Sequence, residues 1–495
     1  MEGQIVRRVV IAGGGTAGWV VAAALGRLLG PLLDIILVES DEIGTVGVGE
    51  STIPTARTFH HLLGIDEREF MRDTQSSFKL GIAFENWGEI GDRYIHSFGQ
   101  IGKSTWMGDF QHLWLQAKAA GFAGDIGDYC FELQAAEAGK FATSDKMEIN
   151  YAYHLDASAY ARFLRRFSEP LGVKRVEGRI AEVAQHPETG FIEALVLASG
   201  ERIEGDLFID CTGFRGLLIE QALKAGFEDW SHWLPTDSGL AVQTGSVGPA
   251  VPYTRAIAHD AGWQWRIPLQ HRVGNGLVYC SEYLGDDEAR ARLLAQIEGE
   301  LLTEPRLLRY HTGRRRKAWD RNCIAFGLSS GFVEPLESTS IHLIMIGATR
   351  LVQLFPFAGF NEALIDRYNE LARNELEGIR DFIILHYKLT ERDDSPFWRR
   401  CREMEIPESL ARRIALFRDH ALAYQDANDL FRIDSWVQIM LGQRLEPQGR
   451  HLMGELMRPE QLRQALDDLR TNIAKAVARM PSHQAFLDGY CAPVH

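Results

Sequence analysis

The chain is short of cysteine, and what it has is scattered. Cys130, Cys211, Cys280, Cys323, Cys401 and Cys491 are the six cysteines in 495 residues, and no two form a CxxC pair. That spacing excludes a disulfide framework and a cysteine-built zinc site, and the residues read as small buried hydrophobes in a reducing compartment. Histidine clusters are missing too. His60–His61 is the one adjacent pair, and it stands outside any HExxH spacing, so no metal site is expected. No purely apolar run reaches the roughly 18 residues of a membrane span. The N-terminus shows no secretion-signal order of charge, apolar run and small residues, so the cytoplasm is the expected location. Positive charge is in deficit: the formal net charge is −14, and an acidic surface repels phosphate backbones. Neither nucleic acid nor membrane is an expected partner. The one basic run, Arg314, Arg315, Arg316 and Lys317, reads as a solvated turn or a phosphate contact. With 45% hydrophobic and 24% charged residues at this length, two or three packed units are expected.

What is present begins at Val9. Val9–Ala12 is a short, mostly β-branched run of the kind a buried parallel strand requires. Gly13, Gly15 and Gly18 follow in GxGxxG spacing, then a helix-favouring segment through Ala22–Ala24 to Leu29, then a second strand at 34–40 carrying Glu39. Gly13 permits the tight turn, Gly15 lets the backbone approach a pyrophosphate, and Gly18 lets helix and strand pack closely. The helix start, at Thr16 and Ala17, offers N–H groups to the phosphates. Glu39, 21 residues beyond Gly18, is placed to accept hydrogen bonds from a ribose. Strand, glycines, helix, strand and acid in this order define a dinucleotide site far better than the glycines alone.

Two further stretches select the dinucleotide. GDLFIDCTGFRG (205–216) is an apolar strand ending in Asp210, similar to the strand and turn that return to the flavin in monooxygenase-type flavoproteins. Residues 322–348 read as a strand, a glycine-bearing turn that includes Leu328, and a helix from Ser338 that takes in Ile341. A helix start so placed can aim N–H groups at a flavin or an anion. No second GxGxxG supplies a nicotinamide site, so FAD fits better than NAD. Beyond about 355 the periodicity turns helical, at 361–387, 408–424 and 459–480. The fold class expected is α/β. It has an FAD-binding, Rossmann-type, flavin monooxygenase-like body over 1–355, with a substrate-facing sheet drawn roughly from 80–150 and 220–320. A helical C-terminal subdomain over 356–495 covers the substrate site.

SSFKLGIAFENW (76–87) poses a separate question. Phe78, Leu80, Ile82 and Phe84 alternate with Lys79, Gly81, Ala83 and Glu85, the period of a strand with unlike faces. Taken alone, the stretch predicts a solvated face on which a lysine is ordinary.

Five stretches together change that reading. GGGTAGW (13–19), VGVGEST (46–52), Lys79 in SSFKLGIAFENW, GWQWRIP (262–268) and FVEPLESTS (332–340) occur in one order. In that order they resemble the flavin-dependent halogenases of the tryptophan halogenase superfamily, with Trp263-x-Trp265-x-Ile267-Pro268 the most specific mark. The resemblance implies that Lys79 and Glu337 are catalytic and converge in a tunnel. In such enzymes, reduced FAD from a separate NAD(P)H-dependent flavin reductase, oxygen and chloride or bromide yield hypohalous acid at the flavin. The oxidant then halogenates an electron-rich, indole-like arene. Val48, Gly49 and Glu50 resemble a strap over the flavin, and Trp263 and Trp265 a partition between flavin and substrate. Thr339 and Ser340 stand where the family binds halide, commonly with Thr-Gly; serine takes a glycine's positive φ only at a cost. His96, Phe98, Ser338 and Trp436 are the implied substrate contacts. The grip that tryptophan-specific members place on the amino acid is replaced here by Leu430-Phe431 and Ser435-Trp436, so free tryptophan is expected to be a poor substrate. The alternatives are an FAD-dependent aromatic hydroxylase and a flavin-binding protein without turnover. A monomer or homodimer is expected.

Overall fold

Val9, Val10, Ile11 and Ala12 are each wholly buried, as a strand must be when it lies in the middle of a parallel sheet with both faces covered. The computed structural model describes residues 5–42, 49–106, 108–144 and 148–491. They fall into two compact units, each assembled from separate stretches of chain. The first comprises Met1–Ser76, Leu155–Asp237 and Arg309–Glu377, and the second Ser77–His154, Ser238–Leu308 and Gly378–His495.

In the first unit a six-stranded sheet runs in the order Trp319–Asp320, Cys323–Ala325, Leu207–Asp210, Arg8–Ala12, Asp34–Glu39, Lys174–Glu177. Its neighbours are parallel except at the Trp319–Asp320 edge. The helix Thr16–Leu29 buries Ala22, Ala23, Ala24 and Leu25. A three-stranded antiparallel sheet (Ile180–Gln185, Ile192–Leu197, Arg202–Glu204) shares a core with the strands, through Val10, Phe208, Leu195 and Leu197.

The second unit is built on a seven-stranded sheet, ordered Arg306–Arg309, Ser238–Gly245, Arg272–Tyr279, Gly262–Pro268, Thr254–His259, Gly81–Glu85, Arg93–Ser97. Helices at Pro396–Glu403, Glu408–His420, Ile433–Gly442, Pro459–Ala478 and His483–Tyr490 follow in sequence. The helical periodicity at 361–387, 408–424 and 459–480 therefore forms helices, at Glu362–Lys388, Glu408–His420 and Pro459–Ala478. Pro396 and Pro459 occupy first helical positions, where their missing N–H groups are no loss. No helix among the described residues is long and apolar enough to cross a membrane.

Two expectations are corrected. SSFKLGIAFENW is not one strand. Ser77–Lys79 pairs antiparallel with Ala152–Asp156, while Gly81–Glu85 joins the seven-stranded sheet. The break is Leu80, whose N–H leaves the ladder for Pro252 O at 2.7 Å. Neither face is solvated, and Lys79 is wholly buried. The basic run is not a solvated turn either. Arg314 and Arg315 are buried, Arg314 pairing with Glu228 (2.7 Å) and Glu377 (3.2 Å), and Arg315 with Glu220 (2.9 Å). Those carboxylates are distant in sequence, which is why the run looked unpaired.

Candidate active site

In the first unit the three stretches assigned to the flavin meet. Gly13 has φ +106°, and a Cβ there would lie 2.4 Å from Cys211 O; a Cβ on Gly18 would lie 1.9 Å from Gly13 O. Backbone approaches this close leave glycine as the only residue for either place. Gly15, by contrast, has nothing within 4 Å of its added Cβ. It is the N-cap of Thr16–Leu29 and makes no side-chain cap, and that helix has no acid in its first turn. Thr16 turns its hydroxyl onto Ala157 O at 3.5 Å. The Gly327 turn, which carries Leu328, passes within 3.0 Å of the Ala17 side chain, measured from an added Cβ. An open glycine face before an uncapped helix start fits a pyrophosphate, so the residues fit FAD.

Glu39 lies beside the glycine turn. It is held by Arg175 and by Trp19 Nε1 at 3.4 Å, partners that leave acceptor sites on a carboxylate able to take about four hydrogen bonds. Asp210 has a different character. Its Oδ1 accepts from Thr212 N (2.9 Å), Thr212 Oγ1 (2.7 Å) and Ser329 Oγ (3.0 Å), and its Oδ2 from Leu218 N (2.9 Å) and Ile219 N (2.8 Å). Five donors saturate it, so it ties the 205–216 turn to the 327–329 turn and has no oxygen left for a cofactor. Asp210→Asn sets an amide donor against N–H groups. It is expected to cost about 2–4 kcal/mol in urea unfolding and to weaken FAD binding with it.

Gly49 and Glu50 open a short strand, Gly49–Ser51, and desolvation raises the Glu50 carboxyl to about 7. Val48 lies outside the described residues. Glu337 is wholly buried and ends the short turn Pro335–Glu337. The helix expected from Ser338 starts at Ser340, with Ile341 buried in its first turn. Strain expected at Ser340 sits instead at Ser338 (φ +60°, ψ +35°), because the chain reverses before the helix begins. Ser340 is an ordinary helical residue. Thr339 is wholly buried, does not cap the helix, and its hydroxyl has no hydrogen-bond partner among the described residues.

The second unit holds the lysine. Lys79 Nζ lies 5.2 Å from the centre of the Phe98 ring, a cation–π distance. Phe98 is fixed by its N–H bond to Leu80 O at 2.9 Å. His96 is buried on Arg93–Ser97, with ring centres 5.6 Å from Phe382 and 6.3 Å from Phe431. Phe382 stacks on Phe431 at 3.7 Å and meets Trp436 edge-on at 4.8 Å. Behind Trp436 the Arg413 guanidinium is sandwiched, 4.5 Å from Trp436 and 4.0 Å from Tyr424. Sequence reading passed over Phe382, Arg413 and Tyr424. Phe382 sits in the apolar run DFIILHY, where nothing local separates a site wall from core.

Trp263 and Trp265 lie on one face of Gly262–Pro268, ring centres 6.2 Å apart, and Trp263 reaches Trp87 at 6.4 Å. Trp265 lies across Gly276 of the next strand, where an added Cβ would be 1.9 Å from its ring and 2.4 Å from Leu240 O. Gly276→Ala is expected to lower stability by about 1–3 kcal/mol and to shift tryptophan fluorescence as Trp265 moves. His60 bonds Tyr160 OH at 2.8 Å, and the described residues hold no metal-ligand cluster.

A dinucleotide-binding sheet in one unit and a buried lysine beside aromatic rings in the other define the class: a flavin-dependent oxidoreductase acting on an aromatic compound. The sequence profile of the tryptophan halogenases matches residues 8–459. The solved structure of Xcc4156, a flavin-dependent halogenase from Xanthomonas campestris, is 56% identical with a TM-score of 0.97, over 99% of this chain and 100% of that one. BrvH, a flavin-dependent halogenase from Brevundimonas sp. BAL3, is 46% identical with a TM-score of 0.94, over 98% and 99%. Tryptophan 7-halogenase RebH from Lentzea aerocolonigenes is 38% identical across 84% of this chain and 83% of its own. The chain belongs to the tryptophan halogenase family. It is a flavin-dependent halogenase, taking FADH2 from a separate flavin reductase and halogenating an aromatic substrate with halide. The hydroxylase and the flavoprotein without turnover are set aside.

Proposed function

We propose that this enzyme halogenates indole or a similarly small indole-like arene in preference to free tryptophan, with Lys79 and Glu337 as its catalytic pair. The observation that supports this is the wholly buried Lys79 with its ammonium facing the Phe98 ring, an amine held against an aromatic face out of bulk water. Reduced FAD, when bound, supplies the electrons with which oxygen converts halide to hypohalous acid. The Lys79 amine hydrogen-bonds that acid or carries its halogen as a haloamine. As the halogen–oxygen bond breaks, the Lys79 ammonium gives the departing hydroxide its proton, so the oxygen leaves as water. The halogen passes to the ring carbon directly, or from the Lys79 nitrogen as the nitrogen–halogen bond breaks, and the ring proton goes to the Glu337 carboxylate and returns to the Lys79 amine. A carboxylate fixed beside a developing ring cation is electrostatic stabilisation of the transition state.

Other roles follow the same reading. The N–H groups at Thr339 and Ser340, with the unused Thr339 hydroxyl, suit a halide at a helix start. Gly13, Gly15, Thr16, Ala17, Gly18, Glu39, Gly49, Glu50, Leu328 and Ile341 surround the cofactor, with Asp210 acting through the turns it ties. Trp263 and Trp265 separate flavin from arene, His96, Phe98 and Ser338 face the arene, and the C-terminal helices cover it. Trp436 and Phe431 favour the small substrate. Both are engaged with Phe382, and Asp434 beside them is tied to Ile101 N (2.9 Å) and Arg432 (2.9 Å), leaving no evident grip for an amino-acid head. Six free cysteines suit the cytoplasm, and a monomer or homodimer is proposed.

The test is direct. Enzyme, FAD, a flavin reductase with NADH, and bromide or chloride should convert indole to haloindole, seen by mass spectrometry. Free tryptophan should be converted at least about tenfold more slowly, the margin that one missing polar grip supplies. Equal rates on both would remove the substrate assignment.

A further inference from the structure

The strand that carries Lys79 is only three residues long, Ser77–Lys79, and so short a strand holds its own position weakly. Two buried histidines fasten it. Ser77 Oγ donates to Pro268 O at 2.5 Å, so toward His154 Nδ1, 3.0 Å away, it can only accept. That places the His154 proton on Nδ1. The bare Nε2 then accepts from Thr254 Oγ1 at 2.9 Å. One chain of hydrogen bonds therefore runs from Thr254 through His154 and Ser77 to Pro268, the last residue of the Trp263–Trp265 strand. The second histidine is His483, on the helix His483–Tyr490. Its Nδ1 lies 2.7 Å from Ala250 O and must donate, and its Nε2 accepts the Phe78 N–H at 3.2 Å. Each ring uses both nitrogens, and each is held in one tautomer.

Both rings are also held neutral. His154 is pushed well below the ordinary imidazole range, by burial first, then by the charges of Lys79 and His483. His483 falls to about 4 through burial. Lys79 and His483 are the titratable groups that bear on His154, and no carboxylate contributes. A proton added to either ring would point an N–H at a group that is already donating, the Thr254 hydroxyl or the Phe78 amide. Ser77 and Lys79 are two residues apart and share a face of the strand. The network therefore lies on the side from which the ammonium projects, next to Ala152, which pairs with Lys79.

We infer that His154 and His483 are positioning residues for Lys79: two single-tautomer imidazoles that lock the lysine's strand in register, His154 on the face that carries the amine and His483 through the Phe78 amide. The inference rests on Lys79 being the residue that delivers the halogen. A misplaced lysine still lets the flavin side make hypohalous acid, but the acid escapes instead of reaching the arene. The decisive quantity is therefore the ratio of escaped oxidant, trapped by a dione that reacts with free hypobromite, to bromoindole formed.

Full-length enzyme with FAD, flavin reductase, NADH, bromide and indole is compared with His154→Leu, His154→Asn, Thr254→Val, His483→Gln and Lys79→Met. For His154→Leu the expected result is a fall in kcat of about 100-fold, the effect of displacing a reacting group by about 1 Å. KM for indole and FAD binding stay within about twofold, and the escape ratio rises. His154→Asn, whose amide sits where Nδ1 was and can still donate to Ser77 but offers Thr254 no acceptor, should recover only part of the loss, and His483→Gln, whose carbonyl can still accept from Phe78, should stay near the wild-type ratio. If the leucine variant does not fold, Thr254→Val, which removes only the donor to Nε2, is read by the same ratio. A folded His154→Leu or Thr254→Val enzyme with an unchanged escape ratio overturns the inference. A Lys79→Met enzyme that still brominates indole overturns instead the assignment of Lys79.

Discussion

Lys79→Met is expected to abolish haloindole formation, by three orders of magnitude or more, while FAD binding and flavin turnover continue. The size follows from the place of the residue. Removing a group that both positions and activates the reagent forfeits about 10²–10⁴ from each kind of contribution. Methionine suits the test because it fills the space of the lysine stem without a charge, so little is lost in packing. The buried site also loses a charged group whose burial is costly. Product analysis by mass spectrometry, with oxidised and reduced FAD titrations in parallel, checks both halves. Bromoindole at wild-type rates from a folded Lys79→Met enzyme would remove the mechanism. Glu337→Gln should also lose rate, through the ring cation and its proton, while trapped hypobromite stays at the wild-type level.

Acid should unfold this protein unusually early, and histidines are the reason. His60 is depressed to about 3 and His483 to about 4, both by burial, and His154 also lies well below its ordinary value. In the unfolded chain each titrates near 6.5. Below that pH the unfolded state takes up protons that the native state refuses, so stability rises with pH through this window and falls as the pH drops from 6.5 toward 4. Glu50 opposes them: its carboxyl is raised to about 7, so the native state holds a proton that the unfolded chain releases above about 4.5. These four groups by themselves, three against one, set a slope of about 2–3 kcal/mol per pH unit between 6.5 and 4.5; burial also lowers His112 and His259, which steepen it, and raises Glu132 and Asp128, which flatten it. Urea unfolding at half-unit steps of pH measures it. His60→Gln, at a ring bonded to Tyr160 and given no part in the site, should flatten the slope by about 1.4 kcal/mol per pH unit. A slope that does not respond to this variant would remove the histidine account.

Some of the site was legible because its physics is local. Gly13 and Gly18 are forced by backbone approaches of their own turn and its neighbours, while Gly15 leaves an open face, and a short glycine pattern between a buried strand and a helix shows the turn without coordinates. The C-terminal helices were legible from period alone, since each buries one stripe. Lys79 was legible only as a member of a family pattern. Its own neighbours predicted a solvated face, and the structure buries it completely. Alternation tells which side chains share a face, and is silent on whether that face meets water.

Other features depend on residues that meet only in the folded chain. The single tautomer of His154 comes from Ser77 and Thr254, 77 and 100 residues away, and the hold on Phe78 comes from His483, 405 residues away. Asp210 looked like a cofactor ligand until five donors from 212, 218, 219 and 329 saturated it. Arg314 and Arg315 looked exposed until Glu220, Glu228 and Glu377 met them.

The amino-acid order by itself determined the dinucleotide turn, the helical C-terminal part and the family, because these follow from spacing along the chain. Which ionisable groups are buried, which carry a proton and which are already spent on one another was decided by the tertiary structure. Burial and hydrogen bonding between distant segments set the energy of a charge, and neither is a property of neighbouring residues.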